Sequence, residues 1–376
     1  MSGAQSGTGS ATYTVGDLAR RKGGHTMNDA PAEEASSSAT RPVRVLISLP
    51  LEPEHSLRIS QVDPRVEVLK LYEQGDSANP DAEQWKQIEE AEADAALLQA
   101  EVLFAFRFPL EWLQKAPRLK WVQLASAGAD HMIAEGIFAR RPNLLLTTAS
   151  GIHEVHISEH IVAMILFFSR KFNVAVRRQA LRRWERYQGG EALGKTVCML
   201  GYGPIARRAA ALCKALGMRV VAVRGSIAEQ QPGFEAVERF YPDSDLNAVL
   251  AESDYVVIAA PLTPKTRGIV GKEQLAAMKK SAVLVNISRG AIVDEAAMIA
   301  ALREGEIGGA ALDVFAQEPL PEGSPLWDMP NVLITPHVSG SNPQYNERAT
   351  ALFCDNLTRY LRGEPPRNLV DRERGY

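Results

Sequence analysis

The chain has 376 residues, and its 42 Lys and Arg against 45 Asp and Glu give a formal charge of −3. That length is room for about two domains of ordinary size, and a composition 45% apolar and 23% charged excludes collagen, coiled coil and disorder for the bulk of the chain. The near-neutral charge gives no global electrostatic reason to expect a nucleic-acid partner.

Cys198, Cys213 and Cys354 are odd in number and widely spaced. They argue against a disulfide framework or a Cys-rich zinc site, fit a reducing compartment, and read as small buried apolar residues. The apolar stretch Ile161 to Phe168 spans eight residues, well short of the roughly 18 a membrane span needs. No membrane association is expected.

The beginning of the chain is different in kind. Of residues 1–40, 24 are Gly, Ser, Thr or Ala, with one Val, one Leu and neither Ile nor Phe. So little apolar surface predicts a disordered tail over residues 1–42. No apolar run accompanies Arg20, Arg21 and Lys22, which argues against a secretory signal, and Asp17, Asp29, Glu33 and Glu34 argue against an organellar presequence. Met27 is a candidate alternative start, and a cytoplasmic location is expected.

From Val43 onward short strand-like runs alternate with helical stretches. Strands are expected at Val43–Leu49, Val66–Leu71, Ala96–Leu98, Lys120–Leu124 and Leu144–Thr147. A long helix is then expected from His153 to about Arg186, apolar at first and basic later. A second series of strands follows at Thr196–Leu200, Arg219–Val223, Tyr255–Ala259, Ala282–Ile287, Ala310–Val314 and Val332–Ile334, before a last helix over Pro343–Leu361. This alternation predicts an α/β protein with parallel strands and crossover helices.

Immediately after the strand Thr196–Leu200 stands Gly201-Tyr202-Gly203-Pro204-Ile205-Ala206, followed by a helix-forming run. In a G-x-G-x-x-A turn the first glycine permits the tight bend, the second lets a pyrophosphate approach the backbone, and the small third residue packs helix on strand. Amides at the helix N-terminus then face the anion. Where an Asp or Glu commonly accepts from the ribose 2′-hydroxyl of NAD, the second strand ends in Arg224-Gly225-Ser226. A guanidinium and a hydroxyl suit a 2′-phosphate, so NADP(H) is expected to be preferred, with NAD(H) as the other option.

Five further motifs follow in order: Pro261-Leu262-Thr263-Pro264-Lys265-Thr266, Asn286-Ile287-Ser288-Arg289-Gly290, Ala311-Leu312-Asp313-Val314-Phe315, Gln317-Glu318-Pro319-Leu320-Pro321, and Thr335-Pro336-His337-Val338-Ser339-Gly340. From about Val43 to the C-terminus, and most specifically between Gly201 and Gly340, the chain resembles the D-isomer-specific 2-hydroxyacid dehydrogenases. The resemblance implies two doubly wound parallel-sheet domains. A discontinuous, flavodoxin-like substrate domain would take residues 43–150 and 337–376, and an inserted Rossmann nucleotide-binding domain residues 151–336.

Matched motif to motif, the resemblance implies that Arg289 is the catalytic arginine, Glu318 the acid and His337 the proton carrier. The chemistry explains these types. A planar guanidinium can bind a 2-oxo acid across its carboxylate and carbonyl, an imidazole exchanges a proton near neutral pH, and an adjacent carboxylate raises the imidazole pKa. The loop Ser126-Ala127-Gly128-Ala129-Asp130 looks like the family's substrate loop, with Ala127 and Gly128 as amide donors to the substrate carboxylate beside Arg289. Pro261, Thr266, Ile287 and Asp313 look like cofactor contacts. Arg107 reads as a surface residue. In the family, the helix after residue 150 and the arm that follows it form a two-fold contact, so a homodimer is expected.

Rival readings come from other classes. His156-Ile157-Ser158-Glu159-His160 spells H-x-x-E-H, a zinc-hydrolase string. Arg177, Arg178, Arg182, Arg183 and Arg186 with Trp184 and Tyr187 could form a nucleic-acid face, as in relatives that act as NAD-sensing co-repressors. Within the family, Glu318 where formate dehydrogenases carry Gln argues against formate. Phosphoglycerate and phosphite oxidation are alternatives, although the stretch after Gly340 is short for the regulatory domains many phosphoglycerate enzymes carry. Reduction of glyoxylate, hydroxypyruvate or a larger 2-oxo acid is the leading expectation.

Overall fold

The computed structural model describes residues 12–14, 41–71, 90–225 and 234–375. The chain divides into two compact units, one formed by residues up to Ile152 and from Pro343 onward, the other by His153–Asn342.

The first unit holds a six-stranded, all-parallel sheet in the order β1-β3-β2-β4-β5-β6. Its strands are β1 Thr12–Thr14, β2 Val43–Ser48, β3 Val66–Lys70, β4 Val102–Ala105, β5 Trp121–Leu124 and β6 Leu145–Thr147. Leaving aside β1, the order is the doubly wound, flavodoxin-like one. Side-chain alternation splits each strand between two cores: Leu103 and Val122 pack on one face, Val45, Val102, Phe104 and Trp121 on the other. The C-terminal helix α12, Tyr345–Leu361, covers the second face through Ala349, Phe353 and Leu357. There Phe353 stacks on Phe104 at 4.3 Å and on Trp121 at 5.3 Å between ring centres.

The second unit holds a seven-stranded parallel sheet in the order β13-β12-β11-β10-β7-β8-β9. Its strands are β7 Thr196–Leu200, β8 Arg219–Val223, β9 Arg239–Tyr241, β10 Tyr255–Ile258, β11 Val283–Asn286, β12 Gly309–Leu312 and β13 Val332–Ile334. The order reverses between β7 and β10, the place where such folds open a ligand crevice at the carboxyl ends of the strands. On one face α6, Glu154–Ser169, packs Ile157, Ile161, Met164 and Ile165 against α8, Pro204–Ala215, which offers only Ala206, Ala209, Ala210 and Cys213. Small side chains there let helix lie close to helix and sheet.

Several elements depart from the sequence reading. Ala96–Leu98 is no strand: it falls at the end of α2, Glu90–Leu97, whose Glu- and Ala-rich sequence favours helix. The strand is the buried Val102–Ala105 just beyond. The long helix from His153 ends at Ser169, and a separate helix α7 covers Phe172–Ala180, because Lys171 takes a left-handed conformation (φ 55°) that interrupts the hydrogen-bond ladder. Thr12–Thr14 pairs in parallel with β3, so the tail is not wholly without structure; β-favouring residues have docked on an otherwise open strand edge. Residues 1–11 and 15–40, Met27 among them, lie outside the described residues. Cys198 and Cys213 are buried, which pushes both thiols up to about 12, and Cys354 is half-buried and pushed up to about 11 by the same cause.

Candidate active site

The glycine turn lies at the β7 end of the switch point. Gly201 has φ +89°, and a Cβ there would stand 2.6 Å from the Ala260 Cα, so both conformation and contact demand glycine. Gly203 is different: its φ of −90° is ordinary, and a Cβ would meet nothing within 4 Å. The protein itself does not require glycine at 203, whereas a phosphate group brought against this backbone would. Pro204 opens α8, where its missing N–H costs nothing, and no side chain caps the turn containing Ile205 and the fully buried Ala206. These residues fit the pyrophosphate of a dinucleotide.

At the end of β8, Arg224 is half-buried and its guanidinium lies 5.5 Å from the centre of the Phe234 ring. Ser226 lies outside the described residues. Sequence reasoning missed Asp243: its Oδ2 sits 2.9 Å from where a Gly225 Cβ would be, so a carboxylate does stand beside this turn, supplied from beyond β9. Only the pairing of β9 with β8 brings it there. Pro261 is exposed and Ile287 buried. The Thr266 hydroxyl donates to the Pro261 carbonyl at 2.6 Å and accepts from the Thr263 amide at 2.8 Å, so it closes its own turn.

Arg289, Glu318 and His337 all belong to the second unit. His337 Nδ1 lies 2.7 Å from Glu318 Oε2, and the other carboxylate oxygen accepts from the Phe315 amide at 2.9 Å. The hydrogen bond to Glu318 raises the His337 pKa against its partial burial and the repulsion of the nearby Arg289. Burial alone would raise the Glu318 pKa, but the His337 hydrogen bond, the Phe315 amide and the Arg289 charge hold it below the ordinary carboxylate value. The Arg289 guanidinium donates to its neighbour's carbonyl, Ser288 O, at 2.8 Å. Asn286 fixes the turn carrying it, donating to the Arg289 carbonyl at 3.0 Å and accepting from the Ser288 amide at 3.1 Å. Gly290 is obligatory, since a Cβ would fall 1.9 Å from the Phe315 carbonyl carbon.

Asp313 links these pieces in a way the sequence did not reveal. Its side chain is fully buried. Oδ1 accepts from the Thr335 hydroxyl at 2.6 Å and the Val338 amide at 3.0 Å, while Oδ2 accepts from the Ser339 amide at 3.0 Å. The His337 amide donates to the Asp313 carbonyl at 2.9 Å. The carboxylate thus holds the 335–339 segment. It also explains a boundary: the expected domain end at 336 fell short, and the unit runs to Asn342, because the His337 turn is bonded to β12's end. His337 itself takes a left-handed backbone conformation, φ 53°, uncommon outside glycine and held here by that clamp.

The remaining candidates separate. Ala127 and Gly128 lie in the first unit, just past β5, exposed and half-buried respectively, with the Ser126 hydroxyl donating to the Gly128 carbonyl at 2.8 Å. Arg107 pairs with Glu135 at 2.5 Å on the surface. In the H-x-x-E-H string, His156 meets His153 at 3.1 Å and Asn342 at 2.6 Å, whereas His160 meets Thr335 at 3.3 Å. The two histidines therefore face different partners, and among the described residues no three or more His, Cys, Asp or Glu groups gather as a metal site. Among the described residues no helix is long and apolar enough to cross a membrane.

Comparison with known proteins agrees with this geometry. The sequence profile described as "D-isomer specific 2-hydroxyacid dehydrogenase, NAD binding domain" matches residues 162–339. The glyoxylate reductase of Aeropyrum pernix is 36% identical over 294 residues, 75% of this chain and 84% of that one. The D-3-phosphoglycerate dehydrogenase of Methanocaldococcus jannaschii is 33% identical over 265 residues, 69% of this chain, which spans about half (49%) of that relative's length. Among solved structures, a D-isomer specific 2-hydroxyacid dehydrogenase from Xanthobacter autotrophicus in complex with NADPH is 30% identical with a TM-score of 0.75, covering 90% of this chain and all of that one. An NADPH-dependent glyoxylate/hydroxypyruvate reductase from Sinorhizobium meliloti in complex with NADP has 27% identity and a TM-score of 0.72, covering 89% of this chain and all of that one. The chain belongs to the D-isomer-specific 2-hydroxyacid dehydrogenase family, NAD(P)-dependent oxidoreductases that act on the hydroxyl group of 2-hydroxy acids.

Proposed function

We propose that the protein interconverts a small 2-oxo acid and its D-2-hydroxy acid, working mainly as a reductase with NADP(H) preferred over NAD(H), and that glyoxylate or hydroxypyruvate is its kind of substrate. The observation that carries the reading is the His337–Glu318 pair at 2.7 Å, suspended from buried Asp313 and within the electrostatic reach of Arg289. The nicotinamide cofactor, when bound, supplies or accepts the hydride at C2. The chain's own residues do the rest. Arg289 binds the carboxylate and polarises the carbonyl oxygen. His337, whose protonated form Glu318 favours, gives its proton to the oxygen as charge develops there, and recovers one from solvent. In the oxidative direction the neutral imidazole takes the proton.

Cofactor choice rests on Arg224, which suits a 2′-phosphate, against Asp243, which suits a free 2′-hydroxyl. The half-burial of Arg224 against Phe234 favours the phosphate. We also place a second copy of the chain over α7 and the segment after it. That helix has no buried residue, and Val176, Leu181 and Trp184 are 56%, 62% and 98% exposed. The substrate and cofactor reading is tested by initial rates of NADPH and NADH oxidation with glyoxylate, hydroxypyruvate, pyruvate and branched 2-oxo acids. Turnover with NADPH and the two small acids is expected; no turnover with any pair, despite NADPH binding, contradicts it and favours a sensor.

A further inference from the structure

A cavity of about 540 Å³ opens in the first unit, lined by Arg41, Arg118, Lys120, Arg141 and Asn143 and by Pro117, Leu119, Leu144 and Leu145. Its position follows from the topology. Arg41 precedes β2, Lys120 precedes β5 and Leu144 precedes β6, so the cavity lies at the amino ends of the strands, whereas Ala127 and Gly128 follow the carboxyl end of β5. Nothing in the proposed reaction uses this edge.

Among the described residues, four cationic side chains line it and no carboxylate does. Glu101 answers one of them, accepting from Lys120 at 3.1 Å and also from the Tyr360 hydroxyl at 2.8 Å. Among the described residues Arg141 bonds only neutral groups, the Leu113 and Ala116 carbonyls, which fix its guanidinium without neutralising it. Arg372 adds another guanidinium, donating to the carbonyl of the lining residue Leu144 at 3.3 Å. Among the described residues neither Arg41 nor Arg118 has an ion-pair partner. In a chain whose net charge is −3, this is a local excess of positive charge around a concave, partly apolar space, which like-charge repulsion disfavours unless an anion enters.

We propose that this cavity binds a small organic phosphate monoester, its phosphoryl group between the Arg41, Arg118 and Arg141 guanidinium groups and its organic part against Pro117 and Leu145. Guanidinium forks match a tetrahedral oxyanion, and Arg141, already held by two carbonyls, loses little entropy on binding one. The inference is independent of the substrate assigned above, and the residues lining the cavity belong to the first unit, those of the glycine turn to the second.

The test uses phenyl phosphate as probe, titrated calorimetrically into the full chain saturated with NADPH, so that the dinucleotide site is filled. Saturable binding is expected, weaker for inorganic phosphate and absent for phenol. Arg118→Glu and Arg41→Glu should each weaken it by about tenfold or more, the worth of one charge-assisted hydrogen bond to phosphate, while thermal stability and NADPH affinity stay as in the parent. Absence of binding, or binding unchanged in the Arg41→Glu/Arg118→Glu double variant, overturns the proposal. Binding that is lost on adding glyoxylate, with no response to either substitution, overturns it as well, since it assigns the phosphate to the substrate site.

Discussion

The two units treat charge in opposite ways. Around His337 each charge has an internal partner: Glu318 answers the imidazole, the Phe315 amide answers Glu318, and buried Asp313 is enclosed by the Thr335 hydroxyl and two amides. At the amino edge of the first sheet, cations gather around a cavity where, among the described residues, Glu101 alone stands beside one of them. Internal pairing sets a proton affinity and a geometry before any ligand arrives, as acid–base catalysis requires. Charge left unanswered stores no such geometry, but it selects an anion. Substitutions should therefore act differently at the two places, on rate in the first and on affinity in the second.

The largest effect is expected at His337. Changing His337→Ala should lower turnover by about two to four orders of magnitude, the usual scale of general acid–base catalysis, with NADPH affinity unchanged in a fluorescence titration. Arg289→Lys should follow, with a loss of about two orders of magnitude in kcat/KM, because an ammonium cannot present a two-pronged donor to carboxylate and carbonyl. Asp313→Ala breaks the support rather than the chemistry. It leaves the Val338 and Ser339 amides unanswered, at about 1–3 kcal/mol each if they stay buried, so a clear fall in melting temperature should accompany the loss of activity.

Glu318 sharpens the comparison through pH. The raised His337 pKa means that reduction, which draws on the imidazolium, persists above the ordinary histidine range and falls as pH rises through that raised value; oxidation shows the opposite limb. Stability follows the same signs. The part due to His337 is complete below its unfolded pKa and is lost as pH rises through the folded value, while the part due to Glu318 is present above its unfolded pKa and is lost as pH falls through its lowered folded value. In Glu318→Gln the basic limb of the reduction profile should move to lower pH. A pH–rate series on both proteins checks the direction.

The smallest effects concern cofactor choice. Arg224→Ala should cut the NADPH over NADH preference by about tenfold, one charge-assisted contact's worth, and Asp243→Asn should raise it by less. Ratios of kcat/KM for the two cofactors decide both.

What could be read from the sequence, and what could not, divides along physical lines. Buried strands such as Thr196–Leu200 and Tyr255–Ile258 are continuous apolar runs, and the glycine turn is local, so pattern alone finds them. The residues proposed for catalysis were singled out by motif, because each lies within a short run of characteristic residues. The partners that hold them were not, since Asp313 reaches Ser339 and Asp243 reaches Gly225 only through strand pairing across the sheet. Short strands at a sheet margin, such as Arg239–Tyr241, lack the apolar signature because part of each faces solvent. The Ala-rich stretch before Val102 misled for the opposite reason, being apolar enough for a strand but locally better suited to a helix.

The most direct test of the account is the pH dependence of NADPH-driven glyoxylate reduction by the parent protein and by His337→Asn, measured with saturating cofactor. The parent is expected to lose rate as pH rises through a histidine pKa above the ordinary range, and the variant to be slower by orders of magnitude and to lack that limb. A variant that keeps near-parental rates, or the same limb in both proteins, would contradict the assignment of His337 as the proton carrier.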